Sequence, residues 1–598
     1  MDSDTTPMAT PGSHAPSLPK RIILCCDGTW LDSLGKKGYE PPSNVTRITR
    51  VFRRTCSDGT PQIINYVPGV GTGTSSIDHL TGGAFGMGLD QDIRQVYNFI
   101  CTNYVDGDSI ILVGFSRGAF TARSTADMIG SLGLLTPEGL DRFYTIFNDY
   151  ENIGDKNRGP DQFLVPGLPE YNGSHGQAKI EWEKARMFKY KQGLKDLRYT
   201  RDTFQDGVTE ITIKAIAVWD TVGTLGIPPA PVIGVRGSAD QWRFTNTQIS
   251  NHVQNAFQAL ALDEPRYAFR PALWERAAGS KTNLKQVWFP GNHGNVGGSW
   301  YDQQIADISL AWMCDQLSTL GVEFNITRLT NTFMSDLRFS SAHPFPFAPP
   351  GKSIIPSGID RLLHRSVPPI PWANKEIYRP TIDGAKRDSA ECDGKDKHPD
   401  ASTTKLWQRA RPWGLGMIRY PTSITTLAGK TVRRPGLFMR CDEDTNEDTD
   451  EPLLNTAESI HSSVRVRLVC GGLGMDDKEV WGCDSLKGED GKPIWRLERG
   501  SGFSDEEEIR IEGFRPREPG IAADEYKASY MYPTTREDTA WRWRYIGLVK
   551  GSGDTQVPHT TVLPEEPLVG YWERYLLALF VGEADVWKFA QRGLPDGF

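Results

Sequence analysis

The sequence predicts an α/β fold: a mostly parallel sheet flanked by helices, with a β-rich C-terminal extension. Three observations carry that prediction. Over residues 20–320, short apolar runs alternate with helical patterns, the order expected of parallel strands joined by crossover helices. The runs are continuously apolar, as strands buried on both faces are. Each run stops at a Gly, Asp, Thr or Pro corner.

In chain order the runs are RIILCC (21–26), QIINYV (62–67), SIILVGF (109–115), IKAIAVW (213–219) and LKQVWF (284–289). Before the third lies DQDIRQVYNFICTNYV (90–105), where Ile93, Val96, Tyr97, Ile100, Cys101 and Tyr104 form one apolar helical stripe. Further on, FPFAPPGKSIIPSG (345–358) and VPPIPW (367–372) are Pro-rich and irregular, and AKRDSAECDGKDKHPD (385–400) reads as a charged loop. CDEDTNEDTDE (441–451) lacks the glycine and closing Glu of a calcium-binding EF loop and reads as a solvated acidic loop. VRVRLV (464–469), EIRIEGF (508–514) and WRWRYIGLV (541–549) alternate and read as half-exposed strands. The predicted organisation is a disordered tail over 1–19, a catalytic domain over 20–345, an irregular segment over 346–404 and a β-rich region over 405–598 set against the catalytic domain.

Composition narrows the function classes. With 38% hydrophobic residues in 598, a sizeable core is available. The net charge of −8 and the lack of a basic stripe disfavour a nucleic-acid binder, and a two-faced strand explains WRWRY without one. Nine scattered cysteines with no CxxC pair argue against a disulfide framework and against a thiolate metal site. The opening MDSDTTPMATPGSHAPSLPK lacks an apolar core, and YLLALFVG (575–582) is too short to span a bilayer. The expectation is a cytoplasmic protein without a signal peptide or transmembrane segment.

The chemistry centres on ILVGFSRGAF (111–120). In G-x-S-x-G a serine sits on a sharp strand-to-helix turn, and the glycines let backbones pass closely. Here SIILVGF supplies the strand and RGAFTARSTADMIG the small-residue helix, so Ser116 is the candidate nucleophile. A serine hydroxyl needs a base, and the base an orienting acid, in the order Ser…Asp/Glu…His. VWDTVG offers Asp220 past one strand, and WFPGNHGNVGG offers His293 past a later one. Rivals are Asp554 and His559 in SGDTQVPH, His461 in ESIHSSVRVRL and His364 in the Pro-rich region. The oxyanion requires two convergent N–H groups: one from Arg117, the other from Gly28 or Thr29 in CCDGTW. Asp27 either holds that loop by its N–H groups or closes an Asx-turn.

CDGTW (26–30), SNVTRI (43–48), YVPGVGTG (66–73), GFSRGAFTAR (114–123), VWDTVG (219–224), ALALDEPRYAFRP (259–271) and WFPGNHGNVGG (288–298) follow one another in an order that resembles the α/β-hydrolase domain family of the type VI secretion phospholipase effectors, which has many fungal members. The resemblance covers residues 20–300 and implies a Ser–Asp–His esterase or lipase, with Ser116, Asp220 and His293 at the matching positions. It departs at Asn295, where bacterial members commonly carry Asp, so a second acidic partner for the histidine loop is missing. No secretion-delivery segment is evident, and an interbacterial toxin role does not carry over.

The sequence thus predicts a serine hydrolase of the α/β-hydrolase type, cleaving a carboxylic ester of a lipid or other hydrophobic acyl compound, at a lipid surface, with no cofactor and no metal. Two other readings stay open: acyl transfer or cyclisation on the same triad, and an inactive scaffold. A patatin-like Ser–Asp pair is weaker, because VWDTVG is the only comparable acid block downstream.

Overall fold

The computed structural model describes residues 19–29, 31–33, 41–69, 82–173, 176–222, 248–342, 410–421, 429–441, 448–499, 541–547, 560–566, 568 and 570–579. Strands β1 (Arg21–Cys26), β2 (Gln62–Val67), β3 (Ser109–Phe115), β4 (Ile213–Trp219), β5 (Asn255–Ala261) and β6 (Asn283–Phe289) lie side by side in the order β2-β1-β3-β4-β5-β6, every pair parallel. β7 (Glu458–His461) continues the sheet beside β6. Two edge strands, β8 (Trp495–Arg499) and β9 (Trp541–Tyr545), are antiparallel, and β10 (Val562–Glu566) joins them to β7. The C-terminal half therefore extends the same sheet to ten strands.

Both faces are covered, which is why the strand sequences are apolar throughout. Helices α1 (Asn44–Val51), α2 (Gly82–Asn103), α3 (Arg117–Leu132), α4 (Gln177–Asp196), α5 (Gln304–Ser318) and α6 (Ile326–Ala342) supply the cover. Ile23, Cys25, Ile111 and Val113 pack with residues of α1, α5 and α6 on one face. Their neighbours Ile22, Leu24, Ile110 and Leu112 pack with residues of α2, α3 and α4 on the other. Among the described residues no helix is long and apolar enough to cross a membrane.

The five expected strands of the first half appear at or within one residue of their expected bounds. β5 was not among them, because three of the seven residues of NAFQALA are Ala, a poor strand former that burial between β4 and β6 holds extended. The expected strand at VRVRLV is instead α7 (Ser462–Val469), and it is buried rather than half-exposed. Its alternating arginines imitate a two-faced strand, yet each is buried against a distant partner. Arg465 pairs with Glu565 at 2.7 Å, and Arg467 donates to the carbonyls of Gly414 and Gly416. WRWRY does form a strand, β9. The two ends of CDEDTNEDTDE belong to strands, Met439–Cys441 and Asp448–Pro452, which pair as a small antiparallel ladder instead of forming loop, and residues 442–447 lie outside the described residues. EIRIEGF, the tail over 1–18 and the Pro-rich and charged segments lie outside the described residues. A last helix, α8 (Tyr571–Leu579), joins the α5 side through Trp572 and Leu576.

Strand order turns back at β1: the chain leaves it for β2 on one side and returns to β3 on the other. Loops diverge at such a point and leave a crevice at the carboxyl ends of the strands. Residues 27–29, 116, 220 and 293 all follow carboxyl ends of parallel strands in this part of the sheet.

Candidate active site

β3 ends at Phe115 and α3 begins at Arg117, so Ser116 is the whole turn. Its backbone lies at φ 57° and ψ −121°. A non-glycine residue so placed stores about 1–3 kcal/mol, held by its surroundings. Gly114 and Gly118 make that possible. A Cβ at 114 would lie 2.5 Å from the Gly118 carbonyl oxygen, and one at 118 would lie 2.2 Å from that of Cys26. The Ser116 N–H donates to the Trp219 carbonyl at 3.1 Å, tying the turn to the residue before Asp220.

Asp220 takes φ 39° just past β4 and is fully buried. His293 opens a one-turn helix, His293–Val296, capped by Asn292. The imidazole Nδ1 lies 2.5 Å from Asp220 Oδ2, and the ring packs between Phe115 and Phe269 at centroid distances of 4.7 and 5.0 Å. Phe115 thus brings the histidine loop onto the residue beside Ser116, and Gly297 allows it, since a Cβ there would strike the Phe115 ring. Burial favours the uncharged imidazole and lowers the His293 pKa, although Asp220 pulls it upward. Burial would raise the Asp220 pKa, but the Arg433 guanidinium and His293 outweigh it and hold the carboxyl well below the usual range. With the carboxylate on Nδ1, the neutral ring carries its proton there and leaves the Nε2 lone pair as the proton acceptor.

The residues that hold this pair were not found by sequence reasoning. Arg433 donates Nη1 to Asp220 Oδ1 at 2.6 Å and Nη2 to Oδ2 at 3.0 Å. Asp263 accepts the Gly291 N–H at 2.6 Å, and Glu264 accepts the His293 N–H at 3.2 Å. These two carboxylates give the histidine loop the acidic support missing at Asn295, which instead exchanges hydrogen bonds with Asn292. Both lie in ALALDEPRYAFRP, a block quoted for resemblance without a role. Asn44, in SNVTRI, donates to the Val296 carbonyl at 3.0 Å and buttresses the same loop from α1. Arg433 left no local signal: RRPG is an ordinary turn sequence.

The residues expected on the oxyanion side lie close to Ser116 and to one another. Gly28 sits against Ser116, since a Cβ on it would lie 3.3 Å from Ser116 Cβ, and the Arg117 side chain donates to Thr29 Oγ1 at 3.1 Å. Arg117 opens α3, whose first-turn N–H groups have no acceptor within the helix. The Gly28 N–H donates to Asp27 Oδ1 at 2.7 Å. Asp27 also accepts from Ser43, Thr46 and Tyr66 hydroxyls at 2.7–2.8 Å. It is therefore more than an Asx-turn: it fixes the loop after β1 to α1 and β2.

His461 is not brought to this cluster's hydrogen bonds. It is fully buried, with Nε2 2.7 Å from Glu573 and Nδ1 2.8 Å from Ser463 Oγ. His364, His559 and Asp554 lie outside the described residues. Among the described residues no three His, Cys, Asp or Glu side chains converge as metal ligands.

Residues 20–316 match the family described as type VI secretion (T6SS) phospholipase effector Tle1-like, catalytic domain. The chain is also similar to the uncharacterized protein YEL023C of Saccharomyces cerevisiae, 28% identical over 280 residues, which are 44% of this chain and 33% of that protein. The match spans about one third of the yeast protein's length. A crystal structure of an uncharacterized protein from Pseudomonas aeruginosa overlaps 66% of this chain and 62% of its own, at 12% identity and a TM-score of 0.29. That likeness is too slight to build on.

Proposed function

We propose, from the membership of residues 20–316 in the Tle1-like catalytic-domain family, that the protein is a serine hydrolase of the α/β-hydrolase type acting on a lipid ester. The observation that carries the reading is the 2.5 Å contact between His293 Nδ1 and Asp220 Oδ2, on a loop packed against the residue beside Ser116. The order Ser, Asp, His after the parallel strands β3, β4 and β6 of one sheet supports the same assignment. Because Asp220 is engaged with His293 and Arg433, a patatin-like Ser–Asp pair is not favoured.

In this mechanism Ser116 Oγ adds to the ester carbonyl carbon while His293 Nε2 takes the hydroxyl proton. Asp220 holds the Nδ1–H and stabilises the imidazolium. The new oxyanion accepts from the Arg117 and Thr29 N–H groups, the Gly28 N–H being already engaged by Asp27. Collapse of the tetrahedral intermediate expels the alcohol, which leaves with the proton from His293. Water, deprotonated by the same imidazole, then releases the acid. The substrate class follows from the family: a phospholipid or similar hydrophobic ester at a lipid surface.

The test is a panel of phospholipid vesicles and p-nitrophenyl esters offered to the wild type and to Ser116→Ala. Release of fatty acid or nitrophenol by the wild type alone is expected. Equal release by both, or release by neither, overturns the reading.

A further inference from the structure

The acid of the proposed triad is gripped from outside the region that the family covers. Arg433 lies on the segment 429–441, more than a hundred residues beyond residue 316. Its guanidinium engages both oxygens of Asp220, and the same two nitrogens donate to the carbonyls of Ala261 at 2.7 Å and Phe269 at 2.6 Å. Those carbonyls belong to the end of β5 and to the turn whose Phe269 ring packs on His293. One side chain thus fixes the acid, the strand end beside it and the wall of the imidazole. The Asp220 oxygens are shared among Arg433, the Ala261 N–H at 3.0 Å and His293, and each of these bonds opposes rotation of the carboxylate.

We infer that Arg433 is a positioning residue that locks the Asp220 rotamer and tunes the charge of the Asp220–His293 pair, so that segment 429–441 completes the site. The inference rests on the triad reading above. Its electrostatics follow from counting charges. Asp220, Arg433 and a neutral His293 sum to zero, and protonating the imidazole makes that buried group net positive. Without the guanidinium the same step takes the pair from −1 to zero, so the proton is held more tightly. The other charges facing His293, Glu264 and its partner Arg266, oppose each other at a 2.6 Å ion pair and leave this difference in place.

Two variants of the full-length protein test this. Arg433→Met removes the charge and the fork; Arg433→Lys keeps a charge without the two-pronged geometry. A histidine 15N NMR titration reads the His293 midpoint without any substrate, and kcat/KM on p-nitrophenyl butyrate reads the consequence. In Arg433→Met the midpoint is expected to rise by about one pH unit, roughly tenfold in proton affinity, in line with removal of a nearby charge. In Arg433→Lys the midpoint returns toward the wild-type value, while kcat/KM stays low by roughly tenfold through the lost alignment. An unchanged midpoint in Arg433→Met overturns the inference, as does an activity loss that tracks only the folded fraction in thermal melts. If the wild type shows no esterase activity, the triad reading falls while the titration still decides the charge effect. If Ser116→Ala is dead but the Arg433→Met midpoint is unmoved, only the inference falls.

Discussion

Two histidines at or past the carboxyl ends of parallel strands in this sheet each meet a buried acid, and the two pairs are wired in opposite senses. In the first, His293 presents Nδ1 to Asp220, and the proposed mechanism uses the remaining Nε2 to take a proton from Ser116 on its strained turn. In the second, His461 presents Nε2 to Glu573, while Nδ1 accepts from the Ser463 N–H at 3.2 Å and lies 2.8 Å from its hydroxyl. Both ring nitrogens are thereby used up. Ser463 lies inside α7, a regular helix whose N-cap is His461 itself. On the proposed assignment, serine, histidine and an acid within reach of one another, as at Ser463, are not enough to make a reactive site. What separates the two is which nitrogen meets the acid and whether the serine stands on a strained turn.

The largest expected difference is in turnover. Ser116→Ala should lower kcat by at least roughly a thousandfold, whereas Ser463→Ala should leave it within about a factor of three. Esterase assays on matched amounts of folded protein decide this, and a large loss in Ser463→Ala would break the contrast.

Stability should divide the other way. His461→Gln cuts the bond to Glu573 and disturbs the buried start of α7, for an expected cost of about 2–4 kcal/mol in denaturant unfolding. His293→Gln should cost less stability but abolish turnover. If both variants lose only stability, the two clusters do the same structural job.

The smallest effect lies in the pH profile. Burial lowers the His293 pKa below its ordinary 6.5, so kcat/KM should stay level as pH falls through neutrality and decline only below about 6.5. For His461, burial pushes the pKa down to about 3 against the upward pull of Glu566 and Glu565. The unfolded chain then binds the proton first. Stability rises with pH between about 3 and 6.5 and is lost on acidification through that window, by up to about 1.4 kcal/mol per pH unit. His461→Gln should flatten that slope and leave the kinetic limb unmoved.

Much of the sheet was legible because its strands are buried on both faces and end at sharp corners. Ser116, Asp220 and His293 stood out because each follows such a strand. β5 was hidden by its alanines, and α7 was disguised by arginines whose spacing imitates a strand. Arg433 could not be assigned, because a supporting contact across some two hundred residues leaves no spacing to read, and Asp263 and Glu264 serve through backbone N–H groups 28 and 29 residues on, which no side-chain pattern marks. His461 shows the converse. Its sequence context gave no hint that both ring nitrogens would be taken inside the core.

The central claim is that Ser116, and not another hydroxyl, is the nucleophile. The most direct measurement is intact-protein and peptide mass spectrometry after a fluorophosphonate. A single adduct on the peptide containing Ser116, absent in Ser116→Ala and strongly slowed in His293→Gln, is the predicted result. Equal labelling of wild type and Ser116→Ala, or an adduct on Ser463, would contradict it.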